Sequence, residues 1–264
     1  MKIFPCHAHA AAVSALAMLA SAASSGATYD KTLEITVEGV PVGVVLTDFP
    51  LLVRLSEQTI DGFSYEDFKG TGGSDIRFET ADGTGLAYDV DTWNPDGESL
   101  VWVKVPSLEY GDVVVMRYGS DAPDSNDPTA VWANYVAVYH GNDLTCATGG
   151  DYPVSPLPAT GGYAISPDAA DHLGSAFYNE NGTAGTRFKL GTRDKNPLAA
   201  LSSVSQFAVS AWIKPASDAP SVRFFSNKVA YGNDGFEYMG VSGTGVILRG
   251  NGSASYSVRD RGYC

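Results

Sequence analysis

The stretch Asp89–Val105, DVDTWNPDGESLVWVKV, gathers Asp89, Asp91, Asp96 and Glu98 around Trp93 and then breaks into strict alternation. Those carboxylates are either a catalytic or cation-binding cluster, or residues that bend the backbone between two strands. A calcium loop of the helix-loop-helix kind needs D-x-[DN]-x-[DN]-G and a closing glutamate. Asp89 and Asp91 start correctly, but Trp93 holds the next ligand position and Pro95 the place of the glycine. Asn94-Pro95-Asp96-Gly97 has what a tight turn demands: proline presets φ, and Gly97 can take a positive φ. The stretch therefore reads as strand, turn, strand.

The same period-two pattern extends in both directions. Leu33, Ile35 and Val37 alternate with Thr32, Glu34 and Thr36, and Gly39 with Pro41 supplies a turn. Further strands are expected at Pro50–Leu55, Ser74–Thr80, Leu86–Trp93, Ser99–Val105 and Asp112–Gly119, with one helical turn at Tyr65–Phe68. The polar, proline-containing run GSDAPDSNDP (Gly119–Pro128) reads as a joint. Beyond it, VWANYVAVYHG (Val131–Gly141) alternates like a strand and a long irregular stretch follows. Strands resume at Ala176–Glu180, Thr186–Leu190, Phe207–Pro215, Val222–Val229, Gly235–Val241, Gly245–Gly250 and Ala254–Val258. Trp212, flanked by Val209, Ala211 and Ile213, reads as core. No 3.6-residue period is sustained anywhere, so the fold class is all-β. The expected organisation is a leader at residues 1–27, a β-sandwich at 28–120, a linker at 121–130 and a second sandwich at 131–264.

Residues 1–27 have Lys2 near the start, an alanine-rich apolar run over Ala10–Ala23, and small residues suited to peptidase cleavage. That is the tripartite form of a cleaved signal peptide, and the apolar run is short for a membrane anchor. The expected compartment is periplasmic, cell-surface or secreted, with the processed chain beginning at Thr28. No later segment is long and apolar enough to span a bilayer as a helix. Removing the leader makes the formal charge of −13 one unit more negative, and no basic stripe interrupts it. Such a balance repels phosphate backbones and argues against nucleic-acid partners. Two cysteines remain after cleavage, Cys146 and Cys264. Export permits a disulfide between them, while the position of Cys264 at the last residue favours leaving both unpaired.

Two parts of the sequence resemble known bacterial surface modules. Residues from about Tyr29 to Gly119 are similar to a domain of unknown function through LTDFPLLVRLS (Leu46–Ser56), GGSDIRFETADGTGLAYDVDTW (Gly72–Trp93), LVWVKVPSL (Leu100–Leu108) and VVVMRYGS (Val113–Ser120). From Val131 onward, VWANYVAVYH, FAVSAWIKP and FFSNKVAYGNDGFEYMGV resemble the start of a concanavalin A-like jelly roll of the laminin-G type. The resemblance implies more strands after this point, including one with a tryptophan and a later DG hairpin. Their lack implies a shortened second domain.

Catalytic motifs are missing. The E-x-D-x-x-E strand motif of concanavalin A-like glucanases is not found, although Asp89 and Asp91 share a strand face and their spacing does not forbid a carboxylate pair. G-x-S-x-G does not occur. His140 and His172 are the histidines of the processed chain, too few for a zinc site without nearby thiols, and His140 ends an apolar run as a packed or edge residue. Asp121, Asp124 and Asp127 recur at three-residue intervals and could ligate calcium, though a solvated linker accounts for them more simply. Trp93, beside the turn, is the best exposed aromatic for stacking on a sugar ring. No catalytic residue and no cofactor are expected. The expected role is a non-catalytic binding or adhesion module for glycans or other surface polymers. The alternatives are a structural spacer among cell-envelope proteins and, less favoured, a glycoside hydrolase.

Overall fold

The computed structural model describes residues 28–121, 126–157, 164–166, 174–178, 187–192, 195–197, 206–212, 221–226, 237–241, 245–249 and 255–258. Residues 1–27, where a leader is expected, and Asp124, His172 and Cys264 lie outside them. The described residues form two compact units, one up to Pro197 and one from Gln206.

Seven strands build the body of the first unit: β1 (Lys31–Thr36), β2 (Leu46–Leu55), β3 (Arg77–Thr80), β4 (Gly85–Leu86), β5 (Tyr88–Thr92), β6 (Ser99–Leu108) and β7 (Val113–Tyr118). All pairings are antiparallel, in two sheets of order β1-β7-β3-β4 and β2-β6-β5. Alternation puts one residue in two into the space between the sheets. The first sheet contributes Leu33, Ile35, Phe78, Leu86, Val114, Met116 and Tyr118. The second contributes Leu51, Val53, Leu55, Tyr88, Val101, Val103 and Val105. One side chain in each sheet shows how the layers are seated: Phe78 faces both Leu86 and Met116, and Val103 faces both Leu51 and Tyr88.

The run Leu86–Trp93, expected as one strand, is two. β4 pairs with β3 in one sheet and β5 pairs with β6 in the other, so the chain changes sheets at Ala87. Alternation survives the crossing because Leu86 and Tyr88 both reach the shared core from opposite sides. The turn Asn94–Gly97 forms as expected, closed by Gly97 N–H donating to the Asn94 carbonyl at 3.1 Å. Gly97 does not adopt positive φ. It is small for another reason: a Cβ there would sit 2.6 Å from the Asn94 amide nitrogen. The expected helical turn is a 3-10 turn at Tyr65–Asp67, N-capped by Ser64.

The expected strand Val131–Gly141 is absent. Asp127 accepts from Thr129 N–H, Pro128 occupies the first turn, and Pro128–Trp132 forms a 3-10 turn. That geometry buries the adjacent residues Val131 and Trp132 together. The segment continues without regular structure to Asn142 and is called the strap below.

Farther along, β8 (Val154–Leu157) pairs with β11 (Arg187–Leu190), and β9 (Ala164–Ser166) with β10 (Ala176–Tyr178). In the second unit β12 (Ser221–Ser226), β13 (Glu237–Val241), β14 (Gly245–Arg249) and β15 (Ser255–Val258) form an antiparallel meander in that order. Residues 207–212, the described part of the expected strand Phe207–Pro215, carry no strand, and Trp212 is 66% exposed rather than core. A strand needs a neighbour to satisfy its backbone groups, and alternation alone cannot supply one.

Candidate functional site

β6 is apolar on both faces. Val101, Val103 and Val105 enter the sandwich, while Leu100 and Trp102 point outward beside Leu52 of β2. Leu100 is nevertheless buried, because the strap lies over this outer face and Gly174 approaches Leu100 as well. On the neighbouring β5, Tyr88 and Val90 face the core, so Asp89 and Asp91 face the strap. A register shift between Val90 and Thr92 marks a bulge at Asp91.

His140, at the far end of the strap, inserts its ring between these two carboxylates. Its Nε2 lies 2.8 Å from Asp89 Oδ2 and its Nδ1 3.0 Å from Asp91 Oδ2. Each of these oxygens also accepts an indole N–H: Asp89 from Trp132 at 2.7 Å, and Asp91 from Trp102 at 3.1 Å. Thr92 Oγ1 donates to Asp91 Oδ1 at 3.0 Å. The two indoles meet edge to face with centroids 5.5 Å apart, and Trp132 lies 5.6 Å from the imidazole. The side chains of His140, Asp89 and Asp91 are only 10%, 14% and 8% exposed.

A carboxylate only accepts, so an imidazole facing one at each nitrogen must carry both protons. Burial works against that charge, but the hydrogen bonds that His140 donates to Asp89 and Asp91 and their negative charge outweigh it and raise His140 to about 9. Burial likewise opposes ionised Asp91; His140, Trp102 and Thr92 overcome it and hold the carboxyl below its ordinary value. The result is a closed chain, Trp132–Asp89–His140–Asp91–Trp102. Both histidine nitrogens are occupied, which leaves no lone pair for a metal or for proton abstraction. The imidazole also fills the space between the carboxylates where a glycosidase would hold sugar or water. Among the described residues no group of three or more histidine, cysteine or acidic side chains is arranged to hold a metal ion.

The strap also seals the edge of β5. The Asn126 amide accepts from Tyr88 N–H at 3.0 Å and donates to the Tyr88 carbonyl at 2.6 Å, imitating a strand neighbour. Asn142 donates to the Asp91 carbonyl at 2.6 Å.

The other sequence candidates lie elsewhere. Trp93 is half-buried and clamped rather than offered as a platform. It meets Tyr65 and Phe68 edge-on at 5.3 and 5.0 Å, and Gly73 lies under the ring, where a Cβ would come within 2.5 Å. Gly73 also has a φ of +74°, so its identity is fixed twice over. Asp121 pairs with Lys69 at 3.3 Å, and Lys69 also holds Asp30 at 2.9 Å. Asp127 is a helix cap. Cys146 is a buried thiol beside Thr148. The pairing of Asp89, Asp91 and His140 was not expected from sequence; its one visible trace is that Trp102 and Leu100 make β6 apolar on both faces.

Residues 72–145 match the family model described as a domain of unknown function (DUF2341). The match supports a module of that kind within this chain. It starts later than Tyr29 and continues past Gly119, taking in β3–β7 and the strap with His140. No curated protein and no solved structure gives a match.

Proposed function

We propose that this chain is an exported, non-catalytic surface or periplasmic protein whose first unit is a structural module that carries and spaces the segment after it. One observation carries the reading: the acid–histidine cluster of the first unit is closed on itself, with both imidazole nitrogens and both indole N–H groups bonded to Asp89 and Asp91. Trp93, Trp102 and Trp132 of the first unit are likewise committed to internal contacts rather than offered as flat platforms for a sugar ring. The four-stranded meander β12–β15 is compatible with a laminin-G-type second domain, and that assignment belongs to the same proposal.

A second reading, adhesion, draws on one end of the sandwich. Val42, Val44 and Val45 of the β1–β2 connection are 81%, 39% and 53% exposed, and Tyr110 of the β6–β7 connection is 52% exposed. The bonds between Val37 and residues 111–112 set the two connections at the same end. Both readings are tested with the processed chain on an array of glycans and cell-wall polymers. The spacer reading expects no saturable binding and no turnover of any polysaccharide. Binding abolished by Val42→Asp with Tyr110→Ala would favour adhesion, and hydrolysis lost in Asp89→Asn would overturn the non-catalytic assignment.

A further inference from the structure

The strap covers the outer face of β5 and β6, where Leu100 and Trp102 lie beside the acids Asp89 and Asp91, and its ionic attachment to that face is His140. We propose that His140 is a charge latch: when its imidazolium loses a proton, the strap from Ala133 to Asn142 lifts from the β5–β6 face while the sandwich beneath stays folded. The inference does not depend on what, if anything, the protein binds.

Geometry alone makes the latch two-sided. A neutral imidazole has one N–H, so it can satisfy Asp89 or Asp91 but must point a lone pair at the other. That is a repulsive contact between poorly exposed groups rather than a merely missing bond. Among the described residues no nearby cation replaces the lost charge. On β6 the neighbour of Trp102 along the same face is Lys104, which is engaged with Asp48 of β2 at 3.4 Å. The strap itself presents Trp132, Tyr135 and Tyr139. Tyr139 donates its hydroxyl to the Tyr152 carbonyl at 2.9 Å, and burial raises both tyrosines, so neither ionises before the histidine discharges. Gly174 and Ser175, which also approach this region, bring no titratable group.

The two ends of the strap differ in how they are held. Val131 and Trp132 are fully buried at its start, and Asn126 is bonded twice to Tyr88. Residues 133–136 are exposed and 137–139 half-buried; among the described residues the polar attachments to the sheet beyond Trp132 are His140 and Asn142 to β5 and Asn134, which donates to Asp48 of β2 at 3.4 Å. Local opening is expected where few buried apolar contacts secure a segment.

The test is limited proteolysis of the purified chain with a protease active across the alkaline range, corrected for its own pH dependence on an unfolded substrate. Cleavage sites are read by mass spectrometry and strand content by circular dichroism. Cutting within residues 133–142 should accelerate at least about tenfold between roughly pH 7 and pH 9.5, with the strand signal unchanged, since each unit of pKa shift is worth a factor of ten in the linked equilibrium. His140→Gln should be cut rapidly at both pH values with no inflection. Should that variant fail to fold, Asp91→Asn serves instead: it keeps the shape, removes one carboxylate, and should move the inflection to lower pH. Three results overturn the latch. These are no acceleration by pH 9.5, an unmoved inflection in the variants, or loss of the strands together with the strap.

Discussion

His140 shows how two acids and a base become an internal joint rather than a reactive centre. Its charged form is favoured by folding, so its contribution to stability is whole below its ordinary value of 6.5 and is lost as pH rises through about 9. Asp91 acts in the opposite sense: held below its ordinary 3.8, it contributes above that value and the contribution fades as pH falls. Chemical denaturation as a function of pH should therefore show a plateau between about pH 5 and 6.5 and a decline toward pH 9 on the order of 3 kcal/mol. In His140→Ala that alkaline decline should vanish. Asp75 is a second residue whose role is internal. It is 2% exposed, and its Oδ2 accepts three backbone N–H groups, from Lys69 at 2.9 Å, Gly119 at 3.0 Å and Ser120 at 3.2 Å. One carboxylate thus ties the approach to β3 to the exit from β7. Asp75→Ala should cost about 3 kcal/mol in an unfolding titration, because buried donors lose their acceptor. Asp75→Asn retains an acceptor oxygen and should cost clearly less.

Among the elements, the strap differs most from what alternation suggests. Its Val136, Val138 and Tyr139 have the composition of a strand, yet Pro128 and the Asp127 cap start a 3-10 turn that rotates Trp132 onto the sheet. Once seated there, the segment supplies side chains, Asn126 and Asn142, where another strand would supply backbone. Covering an edge in this way prevents β5 from recruiting a second chain. Asn126→Ala should therefore lower stability by about 1–2 kcal/mol, the cost of leaving a backbone pair without its partner. It should also raise the tendency to self-associate, measured by light scattering at rising concentration. The strands of the sandwich were legible because, β6 apart, they alternate more and less buried side chains. β4 and β5 were not separable, since Leu86 and Tyr88 keep the same rhythm on either side of the sheet change.

For the whole molecule, the consequence is where the first unit ends. Its outer face holds Leu100 and Trp102, and the cover comes from residues 126–142, which begin inside the joint expected at 121–130 and run past it. A chain ending at Ser120 should melt at least about 10 °C below one ending at Leu157 and should bind a hydrophobic dye, since about 1 kcal/mol moves the midpoint of a small domain by 4–8 °C. Equal melting temperatures would show that the strap adds nothing to the sandwich. What the sequence determined by itself was the all-β class, the approximate places of β1, β2, β3, β6 and β7, and the turn at Asn94–Gly97. Those depend on period-two burial and local backbone chemistry, which neighbouring residues carry between them. Only tertiary structure decided the partition of strands between two sheets, the clamping of Trp93, and the meeting of Asp89 and Asp91 with a histidine some fifty positions away. A pairing over that distance is set by which surfaces need covering, and no local pattern records it.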